Sequence, residues 1–197
     1  MTMLMEQPEF PSRKRWTRQE CQRLRDAGFL PGRYELIDGE ILEKMPKKPP
    51  HVIALMLLAA WMEGLFGRYF VRTQDPVVIP VPDEFSTEPE PDIAVTRAPV
   101  TAYLTTNPGP GDLLLIGEVS DSTLSYDLRT KANLYGIAGI PEYWVLDVAG
   151  RRLSVHRLPS PEGYREVRLY TENEQVATLT HPDVPILVMS LLPPASE

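Results

Sequence analysis

Hydrophobic positions recur along this chain with different periods, and each period predicts an element. Thr17 can cap the open N–H groups of a helix over Arg18–Ala27, Glu20 completes a capping box, and Gly28 stops it. Residues 33–43 alternate on both sides of Asp38-Gly39, which predicts a hairpin closed by a two-residue turn with positive φ. Over residues 51–67, Ile53, Leu57, Ala60, Trp61, Gly64 and Leu65 keep a helical period and predict a largely buried helix. Short strands are expected near 69–73 and 77–81. A further strand is expected at Pro91-Asp92-Ile93-Ala94-Val95, with Asp92 at its start.

The second half reads as strand, helix, strand, hairpin. Leu113–Val119 is a continuous apolar run of the kind found in a central strand covered on both faces, and its one charge, Glu118, lies at the carboxyl end. A helix is expected from about Tyr126 to Ala138, with Gly139 as its stop. Glu142–Val148 is another buried-type strand, and residues 152–158 and 164–170 form an alternating hairpin. Strands near 176–180 and 185–188 close the pattern. The order of elements is that of an α/β protein with a mixed sheet flanked by helices.

At 197 residues, one domain with a real core is expected. A single cysteine, Cys21, allows no internal disulfide and no thiolate zinc site. No run approaches the roughly 18 unbroken apolar residues of a membrane span, and the first residues lack the order of a secretory signal. The expectation is a soluble cytoplasmic protein with no membrane partner. The net charge of −7 excludes a broad basic surface. It is concentrated: residues 51–150 carry 13 acids against 5 bases. Such a concentration means either solvated loops or a cation site.

The placement of the acids favours neither reading by itself. Asp92 and Glu118 stand at the ends of apolar strands, where a carboxylate must be solvated, hydrogen-bonded or bound to a cation. Two such acids on neighbouring strands would suit a hard divalent ion, Mg²⁺ or Mn²⁺ rather than zinc. On the following helix Asp127, Lys131 and Tyr135 fall at i, i+4 and i+8 on one face. Asp127–Lys131 is either a surface helix pair or a face that looks back over the strand end. Glu40 follows the Asp38-Gly39 turn, and His51 opens the second helix, where an imidazole caps, packs or lines a site. Tyr143 and Trp144 read as core. Arg13-Lys14-Arg15 and Lys47-Lys48 are either solvated or in reach of a phosphate backbone.

Five separated segments carry a resemblance to a known family. They are Tyr34–Glu40, the Pro-rich stretch before His51, Glu90–Val95, Glu118–Thr123 with Asp127, Lys131 and Tyr135, and Gly139–Asp147. Together they resemble the Uma-two family of proposed restriction endonucleases, within the PD-(D/E)XK nuclease superfamily, over about residues 15–190. The resemblance implies a restriction-endonuclease-like core, a central mixed β-sheet flanked by helices with additional hairpins, and Mg²⁺- or Mn²⁺-dependent hydrolysis of DNA phosphodiesters. Asp92 and Glu118 match the two acidic metal ligands, and the backbone carbonyl of Val119 would be a third. Ser120 departs from the pattern, since the superfamily usually carries lysine there; Lys131 is the candidate replacement. Glu40, His51 and Asp127 are lower candidates for a supporting role. DNA binding is expected to be weak, metal-assisted and salt-sensitive. A homodimer is expected because cutting both strands takes two active sites. The implied organisation is a flexible N-terminus (1–14), one domain (15–192) and a C-terminal tail (193–197). The competing expectation, supported by Ser120, is a catalytically inactive nuclease scaffold acting as an interaction or assembly module.

Overall fold

The computed structural model describes residues 13–30, 33–80, 87–195. The expected flexible segment before residue 13 and the last two residues of the tail lie outside them. The first helix, α1 (Arg18–Asp26), begins at Thr17 with both hydrogen bonds of the capping box formed. Strands β1 (Tyr34–Ile37) and β2 (Glu40–Glu43) pair antiparallel, and the turn has φ of 50° at Asp38 and 72° at Gly39. A side chain at Gly39 would also strike Arg15, since a Cβ there would lie 2.8 Å from Arg15 Cβ. The turn that the alternation predicted is therefore needed for both reasons.

A six-stranded sheet forms the centre in the order β3 (Val71–Thr73), β4 (Ile93–Thr96), β5 (Leu113–Ser120), β6 (Glu142–Asp147), β7 (Arg152–Ser160), β8 (Gly163–Thr171). Only β5 and β6 run parallel; every other neighbouring pair is antiparallel. A parallel pair needs a crossover, and the helical segment 124–137 supplies it. A small ladder of β9 (Gln175–Val176) and β10 (Ile186–Leu187) ends the chain. Both are shorter than the expected tail strands. The fold is mixed α/β with a restriction-endonuclease-like architecture.

The sheet is covered on both faces, which explains the apolar runs of β5 and β6. On one face α2 (Pro49–Phe66) packs Ala54, Leu58 and Met62 against Ile93, Leu115, Val119 and Trp144. Trp61 stacks on Trp144 with ring centroids 5.7 Å apart. On the other, Ala132 and Tyr135 meet Ile116, Tyr143 and Val145. Tyr143 and Trp144 are fully buried, so both are core as expected.

Three expectations need correction. Helix α2 turns His51, Ala54, Leu58 and Met62 inward, whereas Ile53 and Leu57 are exposed, as are Val52 and Met56. Glu63 is the only charge among these residues, and a helix apolar on nearly every side gives the period no single face to mark. The same composition makes α2 long and apolar enough, at 18 residues and mean hydropathy 1.4, to meet the length and composition of a membrane span. One face of it packs on the sheet, and 28% of its residues are buried. The strand expected near 77–81 is reduced, among the described residues, to a bridge between Ile79 and Thr87, because Pro76 and Pro80 lack the N–H groups a ladder uses.

The third correction concerns the helix after β5. It starts at Leu124, as α3 (Leu124–Tyr126), widens into a π-helical turn over Asp127–Lys131, and resumes as α4 (Ala132–Ile137). Ala132 N–H reaches back to the Asp127 carbonyl, five residues away. The same carbonyl accepts the Tyr143 hydroxyl at 3.0 Å, so a buried tyrosine from β6 helps hold the turn open. Close packing fixes α4 behind it: a Cβ at Gly136 would lie 2.8 Å from the Gly163 backbone.

Candidate active site

The register of the sheet brings the two strand-end acids together. β4 pairs Ile93 with Gly117, so Asp92, one residue before the strand, stands beside Glu118. Val119 N–H donates to Asp92 Oδ2 at 3.0 Å, which ties the carboxylate to the end of β5. Glu118 shares the parity of Ile116 and faces the helix. Ser120, two residues on, faces the same way and donates its hydroxyl to Asp127 Oδ2. Thr123 donates to the same oxygen at 2.6 Å. The direction in which the superfamily usually points a lysine is thus filled by a hydroxyl bound to an acid.

The ammonium enters from the helix instead. Lys131 Nζ donates to Glu118 Oε1 at 2.9 Å and to Glu35 Oε1 at 2.8 Å, and lies 4.0 Å from Asp127 Oδ1. The Tyr135 hydroxyl adds a 3.3 Å bond to Glu118 Oε1. Asp127, Lys131 and Tyr135 are all buried, so the i, i+4, i+8 face does look inward.

Lys131 is the shared partner of Glu118, Glu35 and Asp127, and with only Lys44 added at Glu35 the three acids leave an excess of negative charge in a dry place. Burial, together with the neighbouring Asp92, Asp127 and Glu35, pushes Glu118 up to about 8 against the pull of Lys131. Burial works against the Lys131 charge, but Glu118, Glu35 and Asp127 outweigh it and hold the ammonium firmly protonated. Burial likewise raises Asp127. Asp92 behaves oppositely: burial raises it, yet the His51 imidazole beside it and the charge of Lys47 hold it well below the usual carboxylate range.

A cleft of about 300 Å³ opens over this cluster and is closed on one side by the segment between β2 and α2. Lys47, from that segment, places Nζ 2.8 Å from Asp92 Oδ1, while Lys48 turns outward to Asp121 at 3.1 Å. His51 lines the cleft with Nε2 3.5 Å from Asp92 Oδ2, a nitrogen that is buried and has no hydrogen-bond partner. Asp92, Glu118, Asp127, Lys131 and His51 therefore converge. Glu40 does not: it is exposed and pairs with Arg13 at 3.5 Å. It sits beside the hairpin turn, paired with Ile37, at the end of the hairpin away from the cleft.

A family model for Uma2, described as "Putative restriction endonuclease", matches residues 20–189. This chain belongs to the Uma2 family. Among solved structures, a protein from Anabaena variabilis ATCC 29413, titled "a putative nuclease belonging to DUF820", is similar with a TM-score of 0.64. The match has 16% sequence identity and covers 89% of this chain and 96% of that one, which establishes the shared fold. No curated protein matches the chain.

Two residues that line this cleft carried no clear mark in the sequence. Glu35 is buried on β1, accepts the Glu90 N–H at 2.9 Å, and meets both Lys131 and Lys44. Its signal was an acid between Tyr34 and Leu36 in a short strand, two residues from an apolar turn flank. Lys47 was visible only as half of a dibasic pair.

Among the described residues, no three His, Cys, Asp or Glu side chains stand in the arrangement of a metal cage. The donors that are present nevertheless suit a hard cation. Asp92 and Glu118 supply carboxylate oxygens, and His51 Nε2, 3.5 Å from Asp92 Oδ2, adds a buried imidazole nitrogen beside them. A carboxyl raised to about 8 by burial and by its neighbours' charge is the kind of group a divalent ion relieves. The donor chemistry fits a hard divalent cation, and Lys47 already stands on Asp92 at 2.8 Å.

Proposed function

We propose that this chain is a divalent-metal-assisted endonuclease acting on DNA phosphodiesters. The carrying observation is the meeting of Asp92, Glu118 and Lys131, delivered by three different elements, at the floor of one open cleft. Asp92 and Glu118 would hold Mg²⁺ or Mn²⁺, with the Val119 carbonyl as a further oxygen donor. The bound ion would polarise the scissile phosphate and lower the pKa of an attacking water.

The chain's own groups have separate tasks. Lys131 fixes one oxygen of Glu118 and leaves the carboxyl oriented by two donors, Lys131 and Tyr135. Its ammonium offsets charge growing on the phosphate. Glu35 holds Lys131 from the opposite side, and Asp127, clamped by Ser120 and Thr123, keeps the helix face in place. His51 would take a proton or a ligand position at Asp92. Affinity for DNA would be weak and strongly salt-dependent in a chain of net charge −7. Cutting both strands of a duplex would require two copies, which is the reason to expect a homodimer.

The test is cleavage of supercoiled plasmid with Mg²⁺ or Mn²⁺ by the wild type and by Glu118→Gln. Metal-dependent nicking by the wild type, reduced at least about a hundredfold in the variant, is expected. Equal activity of the two would remove the proposal. A second reading, an inactive nuclease scaffold serving as an interaction module, is favoured by one observation. Ser120 stands where a lysine is usual and is committed to Asp127. No nicking and no Mn²⁺ binding by the wild type would favour it.

A further inference from the structure

Asp92 is one of the two acids that would hold a cation in the cleft, and both of its oxygens already have partners. Oδ2 accepts the Val119 N–H at 3.0 Å. Oδ1 is held by Lys47 Nζ at 2.8 Å, with Gln74 Nε2 at 3.4 Å. The Lys47 side chain is 18% exposed and the Asp92 side chain 6%, so this contact is sheltered rather than a loose surface pair. The backbone that delivers Lys47 is stiffened by Pro46 on one side and Pro49-Pro50 on the other. Its neighbour Lys48, 69% exposed, pairs with Asp121 at the cleft's edge rather than with Asp92.

A doubly charged ion on Asp92 and an ammonium at ionic contact with the same oxygen cannot share the place without strong like-charge repulsion. Lys131 does not raise this conflict at Asp92, because its partners are Glu118, Glu35 and Asp127. We propose that the Lys47 ammonium is a tethered stand-in for the divalent ion at Asp92, held there until the ion displaces it. Lys47 then keeps a buried carboxylate compensated in the metal-free chain and weakens metal binding by competing for Oδ1. The inference rests on the metal-site reading above and adds the residue that sets the affinity of that site.

The experiment is calorimetric titration of the full chain with Mn²⁺, without DNA, for wild type, Lys47→Met and Lys47→Arg. Lys47→Met is expected to bind Mn²⁺ about tenfold tighter or more, whereas Lys47→Arg stays near the wild type. Equal or weaker binding by Lys47→Met overturns the inference and leaves the metal site standing. Failure of wild type and Lys47→Met alike to bind Mn²⁺ overturns both. Should the methionine variant not fold, the wild type alone decides through acetylation mapped by mass spectrometry. Mn²⁺ should raise the reactivity of Lys47 several-fold and leave Lys48 unchanged. An unaltered Lys47 in a chain that demonstrably binds Mn²⁺ would sink the idea.

Discussion

Glu35 and Lys131, 96 residues apart in sequence, meet at 2.8 Å beneath the cleft. This bond joins the β1–β2 hairpin to the helix after β5, so the hairpin is a wall of the site rather than a peripheral ornament. Replacing Glu35 by Gln removes a charge-assisted bond but keeps the shape. A loss of about 1–3 kcal/mol of stability, measured by urea denaturation, is expected, with at least a tenfold fall in plasmid nicking. Glu40→Gln, on the exposed side of the same hairpin, should stay within about 0.5 kcal/mol and keep full activity.

Lys131 is the only cation within reach of Glu118 among the ion pairs of the described residues. Lys131→Met would leave Glu118, Glu35 and Asp127 facing one another without it. Breaking a buried pair in this way costs about 3–5 kcal/mol. The loss should be largest at alkaline pH, where Glu118, raised to about 8, would otherwise ionise, and smaller near pH 5. Denaturation curves at the two pH values check this; an equal loss at both would contradict the charge argument.

Glu118 also gives metal-free stability a pH slope of defined sign. Its carboxyl is raised from 4.5 to about 8 in the folded chain. The folded state therefore binds the proton more tightly than the unfolded one. The stability this contributes is fully present below about pH 4.5 and is lost as pH rises through about 8. His156, which burial lowers to about 4, acts in the opposite sense at acid pH. The comparison of wild type with Glu118→Gln isolates the effect. The stability difference should move in favour of the variant between pH 5 and pH 8, on the order of a few kcal/mol. Saturating Mn²⁺ should flatten the wild-type slope.

Gly136 tests the packing that supports the site. A methyl group there would lie 2.8 Å from the backbone of Gly163 and Tyr164, neither of which can swing away like a side chain. Gly136→Ala would gain in helix propensity yet force α4 off the β7–β8 hairpin. A net loss of about 1–3 kcal/mol is expected in thermal or urea unfolding. No loss would mean that α4 can slide.

Much of this arrangement was legible in the sequence because local chemistry marked it. Thr17 with Glu20, and Asp38 with Gly39, are residue pairs that only a cap and a tight turn explain. Asp92 and Glu118 were conspicuous as charges at the ends of apolar strands, and Lys131 as a base on the same helix face as Asp127. Glu35 and Lys47 were not legible, since nothing within a few residues of either shows that it is buried. Their roles come from partners far along the chain, Lys131 and Asp92. The inward face of α2 was misjudged for a related reason. With Val52, Ile53, Met56 and Leu57 as apolar as Ala54, Leu58 and Met62, only the sheet decides which set is covered. The family resemblance supplied the fold and order of motifs, but it pointed to Glu40 where the geometry selects Glu35.

The π turn at Asp127–Lys131 makes the site unusually sensitive to the length of the chain rather than to its composition. Removing one residue from this turn would let the helix close into regular α geometry while α4 keeps its place on the sheet, because the wide turn is what absorbs the extra residue. Asp127 and Lys131 would then stand three residues apart instead of four, and the ammonium would leave the helix in a different direction. A single-codon deletion would thus re-aim Lys131 relative to Glu118 and Glu35 while leaving every chemically active residue in the gene.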